Sequence, residues 1–572
     1  MPLELRDILK KYWGYDTFRP LQEAAARSVL EGNDTLVLMP TGGGKSVCFQ
    51  VPVMATEGMC VVVTPLISLM KDQVAHLKHR GIAAACLESG MSGYEIDVVL
   101  NNSMSGMYKF LYVSPERLKS ALFIERYKRM KVSLIVVDEA HCISQWGYDF
   151  RPPYLEIVRI REITPRVPVM ALTATATPEV ADDIQRLLGF KRQCCLKTSF
   201  ARDNLAYMVL KEEDKAGRLL TILRKTGGSS IVYARSRRRV YEVARTLQAN
   251  GVEVDYYHAG LSAKERDERQ RRWMKASGRC MVATNAFGMG IDKPDVRCVV
   301  HLDIPDSMEA YFQEAGRAGR DGGKSYAVLL YDEGDIDNLR YQTEADFPPI
   351  SFIKNVYRAV CNFYQIPVGS GGGQHYDFDA NAVCNTYGFD LLQFHRATGF
   401  LQREGLLDFP DDGYDVSTLY VPVSQEDLYR FQVENKRYGD IIAVILRMYG
   451  GLFTDFVPIS EHEIARRFYL STEDSVIAAL QRLDKAGMVV YRKKSDRPQV
   501  VFVQPRQDAD HIAISEHNYA FLKERAVQRM ETMINYVRAT DGCRSEMLRS
   551  YFGDTADEPC GRCDLCLLRG QR

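Results

Sequence analysis

Residues Met39–Ser46 read MPTGGGKS, directly after an apolar β-branched run and before an apolar helix start. Three consecutive glycines let backbone N–H groups close around nucleotide phosphates, while Lys45 reaches the β- and γ-phosphates and Ser46 can ligate Mg²⁺. Thr41, Gly42, Gly43, Gly44, Lys45 and Ser46 are therefore the expected ATP-binding residues. Met39 stands where the pattern G-x-x-x-x-G-K-[ST] begins with glycine, so a ligand-free glycine turn is the competing interpretation.

Asp138-Glu139-Ala140-His141 argues against that alternative, because it follows the apolar run Leu134–Val137 and puts two carboxylates at the carboxyl edge of a parallel sheet. Asp138 would hold Mg²⁺ through water, and Glu139 would orient and deprotonate the attacking water. Further on, Gln313–Asp321 reads QEAGRAGRD. Arg317 and Arg320 are three apart, so on a helix they share one face and suit charge developing on a γ-phosphate. A solvent-facing arginine pair is the plainer alternative.

Four cysteines crowd the C-terminal end: Cys543, Cys560, Cys563 and Cys566, separated by 16, two and two residues. Overlapping C-x-x-C knuckles with a distant fourth thiolate suit tetrahedral Zn²⁺, whereas redox chemistry would call for a surrounding thioredoxin-like βαβ. The other ten cysteines are scattered and read as reduced core residues. Met488–Arg506 carries Arg492, Lys493, Lys494, Arg497 and Arg506 against Asp496. A basic wing there could track phosphates or split a duplex; a solvated charged turn is the rival.

The elements that must hold these groups follow from periodicity. Short β-branched runs alternate with amphipathic stretches from residue 30 to 180, and again after 225, which predicts two successive α/β lobes with parallel sheets. Beyond about 345 the pattern becomes helices followed by a hairpin, and it recurs. FLQREGLL (Phe400–Leu407) aligns with RLDKAGMV (Arg482–Val489) at an offset of 82. Helix, helix, helix, hairpin is a winged helix. The first copy is interrupted by VGSGGGQ (Val368–Gln374), expected to be a flexible loop. The resulting fold class is multidomain α/β plus α+β. Its expected domains are residues 1–204 (first RecA-like lobe), 205–344 (second lobe), 345–436 and 437–510 (two winged-helix-like domains) and 511–572 (a helical zinc module with four cysteine ligands).

At 572 residues the chain has room for about four domains. Its 74 Lys+Arg offset 74 Asp+Glu, which excludes a polybasic coat but leaves room for a local basic stripe. The N-terminus lacks the apolar core of a signal peptide and no long uncharged apolar run occurs, so a cytoplasmic protein without a membrane partner is expected.

Taken in order, these motifs resemble those of a superfamily 2 helicase, specifically the RecQ family of DNA helicases. Gly14–Gln22 (GYDTFRPLQ) resembles the family's adenine-recognition motif, implying that Tyr15 stacks on adenine while Arg19 and Gln22 contact the base. Thr64-Pro65-Leu66, Ser114–Arg117, Thr173-Ala174-Thr175 and Ala283–Asp292 resemble its DNA-contacting and coupling motifs. Cys142–Arg151 (CISQWGYDFR) resembles its aromatic-rich loop, which senses single-stranded DNA. Trp146 and Phe150 offer faces for unstacked bases, and Arg151 can meet a phosphate. Tyr148 stands where the family usually has histidine. The cysteine segment resembles the RecQ zinc module, but here it follows the winged helices rather than the second lobe.

The resemblance implies an ATP-, Mg²⁺- and Zn²⁺-dependent DNA helicase, moving 3′ to 5′ on single-stranded DNA and unwinding duplexes in repair and recombination. It further implies a monomer in the nucleoid-associated cytoplasm, with a single-stranded-DNA-binding protein as a possible partner. The alternative is a DNA-structure-binding regulator whose winged helices act beside a non-translocating ATPase scaffold.

Overall fold

Runs such as Met59–Val63 and Val132–Val137 are apolar on both faces, so each needs a cover on either side and a partner along both edges. The computed structural model describes residues 4–88, 91, 93–147, 149–288, 291, 293–409, 417–453, 456–468, 472–493, 498–555 and 558–570. It divides into two compact units, Met1–Met91 with Glu95–Glu344 and Ala520–Arg572, and Ser92–Tyr94 with Ala345–Tyr519.

The first unit holds two parallel sheets. In the first, β1 (Thr35–Leu38), β2 (Met59–Val63), β3 (Ala84–Leu87), β4 (Phe110–Val113), β5 (Val132–Val137), β6 (Val169–Thr173) and β7 (Cys195–Lys197) lie in the order β3-β4-β2-β5-β6-β1-β7. The second has β8 (Leu205–Lys211), β9 (Ser229–Tyr233), β10 (Val254–Tyr257), β11 (Cys280–Ala283), β12 (Val296–His301) and β13 (Ser325–Tyr331) in the order β10-β11-β9-β12-β13-β8. These are the two RecA-like lobes. Strands β3, β7 and β8 were not legible in the sequence: they hold one β-branched residue between them, Val209, and each is an edge strand set by its single neighbour.

Asp34, just before β1, ties the first lobe together. Its carboxylate accepts from both terminal nitrogens of Arg161 (2.9 and 2.6 Å) and from the backbone N–H groups of Val169 and Lys191 (3.0 Å each). One buried side chain thus joins the starts of β1 and β6, the helix Ile157–Ile163 and the turn before β7.

The long helix Glu516–Arg538 and the cysteine segment return to the lobes. Met530, Met533, Ile534, Tyr536 and Val537 join their hydrophobic core. Tyr311 packs on Tyr536 (5.5 Å between ring centres) and Phe312 on Phe552 (4.9 Å), while Tyr551 donates to Glu309 at 2.8 Å. The zinc module therefore docks on the second lobe despite its displaced position in the chain.

The second unit departs from the expected boundaries. Its strands are β14 (His375–Asp377), β15 (Leu407–Asp408), β16 (Ser417–Tyr420), β17 (Val457–Ile459), β18 (Val490–Arg492) and β19 (Gln499–Phe502), in two antiparallel sheets, β14-β19-β15 and β17-β16-β18. Among the described residues β18 and β19 do not pair with each other, so the expected wing over Met488–Arg506 is not one hairpin. Strand β16, assigned to the first winged helix, belongs with β17 and β18; β19, assigned to the second, completes the sheet of β14 and β15. One helical domain is nested inside the hairpin of the other, and no boundary at 436/437 separates them. The Gly-rich segment is pinned rather than loose: Gly369 N–H donates to Arg506, Arg506 N–H to Ser370 and Gly373 N–H to Phe502, each at 2.7 Å.

No helix among the described residues is long and apolar enough to cross a membrane. Asp34→Ala is expected to cost about 3 kcal/mol, because it strands the buried Arg161 charge; thermal or denaturant unfolding of the full chain measures it. Burial opposes ionisation of Asp34, yet Arg161 and the two backbone donors outweigh it and hold the carboxyl below its usual range. Its contribution is present above the unfolded value of about 3.9 and is lost as the pH falls through the lower folded value.

Candidate nucleotide, metal and DNA-sensing sites

The turn after β1 runs into the helix Lys45–Ala55 through two residues that require glycine. Gly42 (φ 81°) and Gly44 (φ 82°) are left-handed, and a Cβ on Gly44 would stand 2.5 Å from the Gln22 amide nitrogen. The first expected glycine is dispensable: Met39 is buried under β1 and its sulfur accepts from the Cys48 thiol at 3.7 Å. Arg19 donates to the Gly42 carbonyl (2.8 Å) and Gln22 to that of Gly44 (3.0 Å), so both residues brace the phosphate-binding turn. Tyr15 is 54% exposed, leaving its ring open to a stacking partner.

Asp138 and Glu139 lie at the carboxyl end of β5, in the same sheet as β1. Burial and the adjoining Glu139 charge push the Asp138 carboxyl up to about 6, although Lys45 pulls it down. Glu139 is left-handed (φ 47°, ψ 48°), a strained backbone for a residue with a long side chain. Among the described residues its buried Oε2 has no hydrogen-bond partner, and it lies 3.4 Å from His141 Nδ1. His141, fully buried, shares a 2.9 Å hydrogen bond with Thr173 Oγ1 at the end of β6. Burial lowers its pKa, so the ring is neutral. This link between the acidic motif and Thr173-Ala174-Thr175 was not assigned from the sequence, although its partners were both in named motifs.

Arg317 and Arg320 do not share a helix face. The helix Met308–Ala315 ends before them, and residues 316–321 form turns. Arg320 reaches the first lobe, where a Cβ on Gly42 would meet its Cγ at 3.2 Å; Thr41 Oγ1 donates to the Gly316 carbonyl at 3.2 Å beside it. Arg317 is buried within the second lobe against Gly288 and Tyr233. Of the pair, Arg320 is the one brought to the glycine turn after β1.

In the aromatic-rich loop, Trp146 meets the ring of Phe521 edge-on (4.7 Å) and lies under the Arg525 guanidinium (4.7 Å), while Arg529 donates to the Gly147 carbonyl (2.9 Å). Phe150 is half-buried and Arg151 pairs with Asp149 at 3.0 Å. Tyr154 OH donates to the Asp138 carbonyl (2.9 Å), connecting the segment after the loop to the acidic motif. Tyr148 lies outside the described residues, as do Met289, Gly290, Asp292 and Lys494. Arg492 stacks on Phe456 (3.5 Å) and Lys493 is exposed, so the basic residues that are described do not form a common face on one hairpin.

The four terminal cysteines fit a zinc ion. Sulfurs 2.3 Å from a tetrahedral centre lie about 3.8 Å apart; here the four Sγ atoms lie within 4.8 Å of one another, with Cys560 and Cys566 at 4.0 Å. The Cys560 thiol and the N–H groups of Arg544 and Cys566 (both 3.4 Å) donate to Cys563 Sγ and hold that thiol below its usual range. Buried Arg544 pairs with Asp564 (3.1 Å) and caps the carbonyls of Tyr536 and Ala539, joining the knuckles to the long helix.

Family models match four segments: DEAD/DEAH box helicase (19–184), helicase conserved C-terminal domain (214–322), RecQ helicase winged-helix domain, Bacteroidota (419–493) and RecQ zinc-binding (507–567). The chain is 46% identical over 343 residues to the ATP-dependent DNA helicase RecQ of Bacillus subtilis, covering 59% of this chain and 58% of that one. It is 41% identical over 339 residues to the probable ATP-dependent DNA helicase RecS of the same organism, covering 58% of this chain and 68% of that one. It spans about half the length of the first curated relatives. A crystal structure of the DUF1998 helicase MrfA bound to DNA shares the fold, with a TM-score of 0.50 and 19% identity over 71% of this chain and 58% of that one.

Residues 543–566 contain too little apolar material for a core of their own, so bound zinc should supply on the order of 10 kcal/mol of the module's folding free energy. Chelation is expected to abolish amide-exchange protection in the helix Arg544–Tyr551 while the strands β1, β5 and β6 stay protected. Hydrogen exchange with and without chelator checks this.

Proposed function

Because the chain belongs to the RecQ family of DNA helicases, we propose that it is an ATP-dependent enzyme that moves 3′ to 5′ along single-stranded DNA and unwinds duplexes in repair and recombination. The observation that carries this reading is the placement of Arg320, from the second lobe, against Gly42 of the first-lobe phosphate turn. A hydrolytic set divided between two lobes responds to their relative motion, which is what a translocating motor requires and a static scaffold does not.

In this reading the N–H groups of residues 42–45 and Lys45 hold the phosphates, Tyr15 stacks on the adenine, and Arg19 and Gln22 stand beside the base while bracing the turn. Glu139 orients the attacking water with its buried Oε2 and accepts its proton. Arg320 stabilises charge on the departing phosphoryl group. Arg317, buried behind it, supports the second lobe and does not touch the phosphates. Ser46 and Asp138 would hold Mg²⁺, a fit consistent with two adjacent carboxylates that Lys45 alone does not balance. The ion, when bound, neutralises phosphate charge.

The aromatic-rich loop links DNA to hydrolysis. It leaves the acidic motif directly, and its Trp146, Phe150 and Arg151 are the proposed contacts for bases and phosphate. Arg492, Lys493 and Lys494 remain proposed phosphate contacts. DNA, single-stranded and duplex, is the proposed partner of a monomeric cytoplasmic enzyme at the nucleoid, with a single-stranded-DNA-binding protein as a second.

ATP hydrolysis titrated with single-stranded DNA, duplex DNA and RNA tests the reading, together with unwinding of 3′-tailed against 5′-tailed duplexes. Stimulation by single-stranded DNA and unwinding from the 3′ tail are expected. Lys45→Ala should lower DNA-stimulated hydrolysis by about a hundredfold or more while DNA affinity stays within about twofold, since phosphate and DNA use different surfaces. Unwinding by that variant at the wild-type rate would end the helicase reading. In the Trp146→Ala/Phe150→Ala double variant, basal hydrolysis should persist and its stimulation by DNA should be lost; full stimulation would assign both rings to packing.

A further inference from the structure

Residues 198–204 connect β7 to β8, and so join the two lobes. From one side they are gripped by the zinc module. Lys197 Nζ donates to the carbonyls of Phe552 and Gly553 (2.7 Å each), Ser199 Oγ (3.0 Å) and Phe200 N–H (2.9 Å) donate to the Asp554 carboxylate, and Arg562 pairs with Asp203 at 3.1 Å. The Phe200 ring packs against both Phe552 (5.5 Å) and Phe312 (5.7 Å).

From the other side the same connection grips the turn that carries Arg320. Arg202 Nη2 donates to the carbonyls of Ala318 (2.7 Å) and Gly319 (3.0 Å), and Nη1 to that of Gly316 (3.4 Å). Asn204 Nδ2 donates to the carbonyls of Gly319 (2.6 Å) and Gly323 (3.0 Å). Residues 316–320 lie outside any helix or strand, so side chains take up carbonyls that a helix or sheet would otherwise pair: those of Gly316 and Ala318, and that of Gly319 beside the Gly322 N–H. A planar guanidinium fork can satisfy several at fixed angles, which an ammonium cannot. The Gly316 carbonyl that Arg202 holds is also the one that meets Thr41 of the phosphate turn.

We propose that Arg202 is a positioning residue for hydrolysis: its guanidinium fixes the turn that presents Arg320 to the phosphate site, and the zinc module sets its position through the grip on residues 197–203. The inference rests on the reading of Arg320 as the group that stabilises the transferring phosphoryl. It makes the zinc module a part of the hydrolytic apparatus, acting at a distance from any DNA it contacts.

The test is steady-state ATP hydrolysis by the full chain at saturating single-stranded DNA. Arg202→Ala should lower kcat by about tenfold or more with KM for ATP within about twofold, since misplacing Arg320 weakens the transition state and not nucleotide binding. Arg202→Lys should recover little of the loss. In Arg202→Ala/Arg320→Ala, kcat should equal that of Arg320→Ala alone, because Arg202 has nothing left to position; a merely structural role would give multiplied losses. Asp554→Ala, assayed to retain its zinc, should lower kcat without raising KM.

Multiplied losses in the double variant, or an unchanged kcat in Arg202→Ala beside a lowered one in Arg320→Ala, overturn the inference and leave the reading of Arg320 standing. An unchanged kcat in Arg320→Ala overturns both. An unchanged kcat in Asp554→Ala removes the zinc module from the proposal. Should Arg202→Ala fold poorly, Arg202→Lys carries the same comparison with Arg320→Ala.

Discussion

The hydrolytic chemistry proposed for this molecule depends on a polar contact between separately built sheets: the hydroxyl of Thr41 on the Gly316 carbonyl, with Arg320 laid across Gly42. The first lobe has Lys45 and the two carboxylates, but its own Arg19 is committed to the Gly42 carbonyl. The second has the arginine but no phosphate turn. A neutral hydrogen bond contributes only about 1 kcal/mol net, so this contact is strong enough to register the lobes and weak enough to yield to the lobe motion that the proposed cycle requires. Glycine at position 42 serves both demands, since it permits the left-handed turn and leaves space for the arginine chain.

Chain order matters less to such an arrangement than surface chemistry. The zinc module is separated from the second lobe by residues 345–510, yet it docks there through Tyr536 on Tyr311, Phe552 on Phe312 and Tyr551 on Glu309. The entropy of closing a loop rises only with the logarithm of its length, so folded domains can be placed in that connection at small cost. Burial of aromatic faces and the polar ties to residues 197–203 then decide where the module settles. Zinc, when bound by the four cysteines, would stiffen the segment that makes those ties.

The same economy explains the second unit. A β-hairpin tolerates insertion at its tip because both strands remain paired, and β15 and β19 are such a pair, with Leu407 opposite Phe502 and Asp408 opposite Val501. The inserted domain carries its own core, built on Leu419, Ile441, Ile445, Ile464, Leu480 and Tyr491. The described basic residues that looked like one wing are divided between the end of the inserted domain, with Arg492 and Lys493, and the segment after the return strand of its host, with Arg506. Proximity in sequence across that junction therefore says little about a shared surface.

The phosphate turn, the acidic pair and the cysteine knuckles were legible because each is local: a few consecutive residues impose φ, burial and ligand spacing by themselves. Most of the parallel strands were legible for the same reason, as continuous β-branched runs. The edge strands β3, β7 and β8 were not, because Ala84–Leu87, Cys195–Lys197 and Leu205–Lys211 become strands only beside β4, β1 and β13. VGSGGGQ has the composition of a mobile loop, and only the return of Phe502–Arg506, some 130 residues on, supplies its hydrogen-bond partners. Arg317 and Arg320 look equivalent in a helical register; tertiary packing ends the helix at Ala315, turning one arginine inward and the other across to the neighbouring lobe. Sequence alone determined which chemical groups this protein possesses and the short turns that shape them. Which groups meet was decided by long-range pairing, because a hydrogen bond between residues 41 and 316, or 202 and 319, leaves no periodicity in the chain that forms it.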